Sequence, residues 1–79
     1  MYYDAVKVEP RDNFELYVEY QDGKRGFFDL KPYLDFGVFS ELKNLDYFKQ
    51  VHILFGALAW PRGQDIAPSK LYAELRGHS

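Results

Sequence analysis

Alternation of apolar and polar positions predicts β-structure in the first part of the chain. In residues 14–20, every second residue is apolar or aromatic and the others are Glu or Tyr, which is typical of a strand with one buried face. Asp22-Gly23 follows, a pair that supplies the positive-φ positions of a tight turn. We predict a β-hairpin over residues 13–30, preceded by a shorter strand at Ala5–Val8.

After the hairpin the period of the pattern changes. Pro32 cannot donate to a sheet and suits the first position of a short helical turn that ends near Gly37. Apolar residues then recur at every third position from Phe39 to Phe48, with polar residues between them. This spacing predicts an amphipathic helix, or two short helical turns, lying across the sheet.

A second hairpin is predicted in the last third of the chain. Val51–Phe55 is a short run rich in β-favouring residues, and Gly56 offers a turn. Residues 57–60 can return as its partner strand before Pro61 stops the ladder. Residues 61–65 have the composition of a loop.

A final short helix closes the pattern. Pro68 suits a helix start, Leu71 and Tyr72 share one face, and Gly77 supplies a stop. The predicted order is β-β-β-α-β-β-α, with the helices packed on a mostly antiparallel sheet. No linker or repeat is visible, so we expect one α+β domain over residues 1–79.

Composition indicates a small folded protein with an aromatic core. The chain has 79 residues and 19% aromatic residues, and each buried ring removes roughly 150–250 Å² from water. The absence of cysteine fits a reducing compartment. No apolar stretch approaches the ~20 residues of a membrane span, and the first residues lack a leader pattern. We therefore expect a cytoplasmic protein with no membrane association.

Charge and chemistry exclude few functions but favour none of the catalytic ones. The net charge is −2 and the basic residues are scattered, which disfavours nucleic acid as a partner without excluding it. His52 and His78 are the two histidines, and neither lies in a metal-ligand spacing. The dispersed glycines form no phosphate-binding loop. We expect no metal, no cofactor and no enzymatic activity.

The most distinctive segment runs from Trp60 to Tyr72, and it has two interpretations. In the structural one, the tryptophan ends a strand, the loop path is fixed by proline and glycine, and Asp65 accepts N–H groups at the entry to the last helix. The residues of that structural motif are Trp60, Pro61, Gly63, Asp65, Pro68, Leu71 and Tyr72.

In the functional interpretation, the same loop is presented to a partner, because loops on rigid scaffolds often carry binding residues. The candidate partner-binding residues are Trp60, Arg62, Gln64 and Asp65. A different candidate surface is an exposed aromatic platform of Tyr17, Phe27 and Tyr47, which would stack on single-stranded nucleic acid if the three rings shared a sheet face. Packing of these rings in the core or at an edge is the alternative.

The distinctive segment also resembles a known family, the small bacterial family called domain of unknown function 2442. The resemblance covers residues 6–72 and has three components. They are the segment itself (Trp60-Pro61, Gly63, Asp65-Ile66, Pro68 and Leu71-Tyr72), the first hairpin (Asp22-Gly23 and Phe28-Asp29-Leu30), and Phe39 with Leu42. At Arg62 the family often has Asn or Asp, so the loop of this chain would recognise something different.

The resemblance implies a compact bacterial α+β domain, in some relatives fused to a helix-turn-helix domain. It also implies a small partner protein encoded nearby, in an antitoxin-like half of a two-protein pair. No catalytic residues are implied. From the residues and the resemblance together we expect a protein-interaction module that uses the Trp60 to Asp65 loop or an open sheet edge. A nucleic-acid-associated regulator is the alternative, and a homodimer through an edge strand is compatible with both.

Overall fold

A computed structural model describes the backbone of residues 4–75 and their side chains other than those at 68 and 69. The elements in this range are β1 (Ala5–Pro10), β2 (Glu15–Tyr20), β3 (Arg25–Asp29), a first 3₁₀ helix (Lys31–Tyr33), a second 3₁₀ helix (Gly37–Lys43), α1 (Leu45–Phe48), β4 (His52–Leu54), β5 (Ala57–Ala59), β6 (Asp65–Ile66) and α2 (Pro68–Glu74). The predicted α+β class is confirmed.

The first three strands form the predicted antiparallel meander, in the order β1-β2-β3. The inward face of β2 carries Leu16, Val18 and Tyr20, all buried, as its alternating pattern predicts. Phe14 differs from the prediction, because it lies before the strand with a φ of 64°. Its ring packs edge-on against Phe48 with centroids 5.2 Å apart, so it still contributes to the core.

The Asp22-Gly23 turn forms as predicted. Gly23 has a φ of 93°, a conformation that favours glycine, and its N–H donates to the Tyr20 carbonyl at 3.0 Å. The Asp22 carboxylate accepts the N–H of Lys24 at 2.9 Å. These bonds join β2 to β3 in the register that pairs Tyr17 with Phe27.

The middle of the chain forms two short helical segments, which confirms the second form of the prediction. The chain leaves the helical conformation at Asn44, where φ is −78° and ψ is 112°. Its side chain accepts the N–H groups of Asp46 and Tyr47 at 3.0 and 3.4 Å. This N-cap begins α1 and turns Phe48 into the core, where it is fully buried.

The second sheet has the order β4-β5-β6 and corrects the predicted element order. Residues 61–65 were expected to be a loop, but the chain turns back within them, and Asp65–Ile66 pairs with β5 as a sixth strand. A two-residue strand is too short for any alternation to reveal it. It forms because Trp60 donates its N–H to the Gln64 carbonyl at 2.9 Å.

The helix α2 begins near Pro68 as predicted, but Asp65 does not cap it. The N-cap is Ala67, with no side-chain hydrogen bond, because Asp65 is held in β6. Leu71 is buried, and Tyr72 packs edge-on against Tyr20 with centroids 4.9 Å apart. Gly77, the predicted stop, lies outside the described residues.

The two sheets meet where β1 begins. Ala5 donates its N–H to the carbonyl of Gly56, in the turn between β4 and β5, at 2.9 Å. The strands β3 and β6 are end strands of their respective sheets. The largest fully buried side chains are Trp60, Phe28 and Phe48, and the prediction of an aromatic core is confirmed.

Candidate functional site

The segment from Trp60 to Gln64 is the tight connection between β5 and β6. Besides the hydrogen bond that closes it, the N–H of Gly63 donates to the Trp60 carbonyl at 3.0 Å. Gly63 has a φ of 101° with open space around its missing side chain. The turn is therefore defined by its backbone, and its side chains are placed by that geometry.

Trp60 faces the core. It is 2% exposed, and its indole Nε1 donates to the Phe48 carbonyl at 2.9 Å. That carbonyl lies at the end of α1 and also accepts the N–H of Val51 at 3.3 Å. Trp60 is thus a structural residue, as the structural interpretation has it, and its ring lies inside the fold rather than at a surface.

Gln64 is also buried, at 3% exposure, although the sequence places it in a polar loop. Its amide nitrogen donates to the Val38 carbonyl at 3.0 Å and to the Glu41 carboxylate at 2.7 Å. Its amide oxygen accepts the hydroxyl of Tyr47 at 2.6 Å. Because every polar group of the amide has a partner, burial is tolerated, and the expected exposure of Gln64 is wrong.

Gln64, Tyr47 and Glu41 form a hydrogen-bonded cluster that we call the polar anchor, and Arg62 extends it to the surface. Its backbone N–H donates to the Tyr47 hydroxyl at 2.9 Å, and its guanidinium lies 5.7 Å from the centre of the Tyr47 ring and pairs with Glu41. The Arg62 side chain is 71% exposed. It borders a shallow cleft of about 570 Å³ that also contains Lys43 and Asp46, so the cleft carries both signs of charge.

The structure therefore divides the four candidate partner-binding residues. Arg62 and Asp65 lie at the surface, while Trp60 and Gln64 are inside. The partners of Gln64 lie 17, 23 and 26 residues away along the chain. A spacing of this kind leaves no periodic signal in the sequence. Tyr47 and Glu41 were therefore not identified from the sequence as partners of Gln64.

The most exposed large apolar side chain in the described range lies at the other end of β5. Phe55 is 95% exposed, and Leu54 and Val6 are 50% and 57% exposed. Val6 adjoins this turn because it follows Ala5, which is hydrogen-bonded to Gly56. We call Val6, Leu54 and Phe55 the apolar tip. Sequence reasoning missed it, because Phe55 was assigned to a strand.

The backbone of the apolar tip is unusual. Phe55 and Gly56 have φ values of 52° and 80° in the two-residue turn between β4 and β5, where Asn-Gly is the preferred pair. A bulky residue at positive φ is an outlier. Gly56 is favoured by its positive φ, and an added Cβ would meet the Asp4 side chain and lie 3.0 Å from the Asp4 Cα. The Phe-Gly pair is the sequence signal that identifies this site.

The candidate aromatic platform forms only in part. Tyr17 and Phe27 are cross-strand neighbours with ring centroids 5.4 Å apart, and the Arg11 guanidinium lies 5.8 Å from each ring centre. Tyr47 belongs instead to the polar anchor, where its hydroxyl donates to Gln64. Glu19 shares this face, and its hydrogen bond with the Tyr17 hydroxyl is the main cause of that tyrosine's raised pKa.

An apolar cavity of about 200 Å³ lies between the two terminal strands. Phe28 of β3 and Ile66 of β6 both line it, and Tyr33 forms another wall by stacking on Phe28 with centroids 5.7 Å apart. The Tyr33 hydroxyl donates to Glu74 at 2.5 Å, and Lys70 pairs with Glu74 at 3.0 Å. Both contacts lower the pKa of Glu74, the Tyr33 hydrogen bond most. We call this the seam cavity.

The fold and the anchored turn together define a small α+β domain built from two three-stranded sheets. The chain belongs to the family described as Protein of unknown function (DUF2442), whose sequence model matches residues 5–77. The resemblance inferred from the motif residues is confirmed. No curated protein and no solved structure matches the chain. None of the helices in the described range has the length and apolar character needed to cross a membrane.

Proposed function

We propose that this chain is a non-enzymatic protein-interaction module that binds a partner protein through the apolar tip. The observation that carries the proposal is the 95% exposure of Phe55 at a positive φ. The positive φ at this residue costs about 1 kcal/mol of backbone energy. Because the ring stays exposed, it buries almost no apolar area that would offset this cost. Contact with a partner protein explains why the ring is kept at the surface despite this cost.

The tip has the composition of an interface anchor. Aromatic residues are enriched among the side chains that dominate binding energies. Leu54 and Val6 are half-exposed near the same turn and add apolar surface to the tip. A two-residue turn braced by the Ala5 to Gly56 hydrogen bond holds this surface in place before binding. Preorganisation of this kind limits the entropy lost on association.

The family resemblance supports a more specific form of the proposal. In that form the partner is a small protein encoded nearby, and this chain is the antitoxin-like member of the pair. Arg62 and Asp65 offer a second surface for the same partner, because both are exposed, Arg62 on the connection at the opposite end of β5 and Asp65 at the start of β6. The proposal assigns the main contact to the tip.

A pull-down from native lysate, with nuclease treatment, tests the proposal. Wild-type bait should capture a small protein in near-stoichiometric amount, and Phe55→Asn should lose at least nine-tenths of it. The matched control is Phe36→Asn, which removes another exposed phenylalanine and should retain the partner. The double variant Arg62→Ser with Asp65→Asn tests the second surface and should weaken capture less than Phe55→Asn does. Full capture by Phe55→Asn would refute the proposal, and loss by the double variant alone would assign the contact to the loop.

A nucleic-acid-associated role is the second candidate, favoured by the Tyr17 and Phe27 rings with Arg11 beside them. Such a platform is able to stack on bases. Glu9 and Glu19 share this sheet face with Lys7 and Arg25, and Glu9 pairs with Lys7 and Arg11. The face therefore lacks the excess of positive charge that phosphate binding needs. Recovery of nucleic acid, abolished by Tyr17→Ala but not by Phe55→Asn, would favour this candidate.

A further inference from the structure

The seam cavity lies between β3 and β6. The strands β3 and β6 are the last members of their sheets, and residues of both line the cavity without pairing with each other. Its walls are apolar, formed by Phe28, Leu30, Phe39, Ile66 and Ala67. An unfilled apolar space beside two strand edges is a preformed place for another chain.

The size of the cavity limits what can enter it. A cavity of about 150 Å³ lined by aliphatic and aromatic side chains is able to hold benzene, so the seam cavity, at about 200 Å³, accepts one leucine, methionine or phenylalanine side chain. The stacking of Tyr33 on Phe28 and the Tyr33 hydrogen bond to Glu74 brace one wall. The cavity is therefore present before a ligand arrives.

The backbone of β6 supplies hydrogen-bonding groups beside the cavity. Residue pairs in an antiparallel ladder alternate between hydrogen-bonded and non-hydrogen-bonded pairs. Trp60 and Gln64 are hydrogen-bonded, so the next pair, Ala59 and Asp65, is not. The N–H and carbonyl of Asp65 consequently point away from β5, toward the open edge of the sheet.

The charges at the mouth of the cavity indicate the charge that a partner segment should carry there. Two charged residues line it, Lys70 and Asp65. The Lys70 ammonium is paired with Glu74 at 3.0 Å, whereas the Asp65 carboxylate has no ion-pair partner within residues 4–75. The uncompensated charge beside the open edge is therefore negative, and it complements a basic residue.

We propose that an extended segment of a partner protein adds to the edge of β6, fills the seam cavity with one apolar side chain, and places an adjacent lysine or arginine beside Asp65. Neighbouring residues of a strand point to opposite faces, so one segment can do both. Main-chain hydrogen bonds to an edge supply affinity in this mode, and the cavity supplies specificity. The proposal stands independently of the apolar tip.

A phage-displayed library of random decapeptides, selected on the immobilised full chain, tests this directly. Enriched sequences should place a lysine or arginine next to a leucine, methionine or phenylalanine in a β-favouring context. The best peptide is then synthesised and titrated into the wild type and three variants. Failure to enrich any sequence above a bait-free control would overturn the proposal.

The variants probe the cavity and the charge separately. Ala67→Leu fills the cavity from its rim, at a backbone conformation that leucine adopts readily, and should weaken binding about tenfold or more. Ala73→Leu, at a position on α2 that is likewise exposed, is the matched control and should leave affinity unchanged. Asp65→Lys should weaken binding about threefold, and replacing the peptide's basic residue with glutamate should restore it.

Two further arms keep the test decisive. If Ala67→Leu does not fold, replacing the peptide's apolar residue with alanine tests the cavity from the ligand side and should give the same loss. Equal binding of the peptide to the wild type and to folded Ala67→Leu would overturn the proposal. Sedimentation of the chain alone is the second arm. A dimer that Ala67→Leu converts to a monomer would assign the seam to a second copy and overturn the partner-segment proposal.

Discussion

The two connections at the ends of β5 hold their aromatic rings in opposite environments. Trp60 is 2% exposed and Phe55 is 95% exposed, although only four residues lie between them. The Trp60 indole has a hydrogen-bond partner in Phe48 and neighbours in the core. The Phe55 ring has neither and lies on a backbone that disfavours it. The fold accounts for the first ring and leaves the second to be explained by a function.

Truncating both rings gives the largest expected contrast. Trp60→Ala should lower the free energy of unfolding by about 3–5 kcal/mol, which matches the whole stability expected of a domain this small, so the variant should be largely unfolded. Phe55→Ala should change it by less than about 0.5 kcal/mol. Urea denaturation followed by circular dichroism measures both. Equal losses at the two positions would remove the distinction between the two connections.

A smaller contrast separates the buried and exposed polar residues of the Trp60 to Gln64 connection. Gln64→Met keeps the side-chain length but leaves Tyr47 and Glu41 without their amide partner, and should cost about 2 kcal/mol. Arg62→Met removes an exposed ion pair and should cost less than about 0.5 kcal/mol. Thermal or urea unfolding of the two variants provides the measurement. A larger loss for Arg62→Met would mean that the anchor depends on charge rather than on the buried amide.

The same contrast marks what the sequence is able to predict. Local patterns predicted β2 and the Asp22-Gly23 turn, because strand alternation and turn chemistry act over a few residues. The short strand β6 and the burial of Gln64 depend on partners that only the folded chain brings together. The polar composition of the loop therefore suggested exposure where a satisfied amide is buried.

The candidate surfaces were harder to predict for the same reason. The Trp60 to Asp65 segment was the main candidate because its residue pattern is distinctive. Two of its four candidate residues, Trp60 and Gln64, are buried and stabilise the fold. The exposure of Phe55 follows from the position of a two-residue turn, and a shift of that turn by one residue would have changed which face the ring occupies. The family model covers both connections and does not distinguish them.

The smallest expected change in the free energy of unfolding is a gain in stability rather than a loss. Phe55→Asn places the residue preferred before glycine in this kind of turn and relieves a positive φ of 52° at an aromatic residue, so it should raise the free energy of unfolding by about 0.5–1 kcal/mol. Urea denaturation measures the gain, with Phe55→Ala as the control that removes the ring without supplying asparagine. If Phe55→Asn is more stable and also loses the partner, instability of the variant cannot explain the loss, and the ring itself makes the contact. A loss of stability instead would show that Phe55 contributes to the fold and would weaken the argument for a partner at the apolar tip.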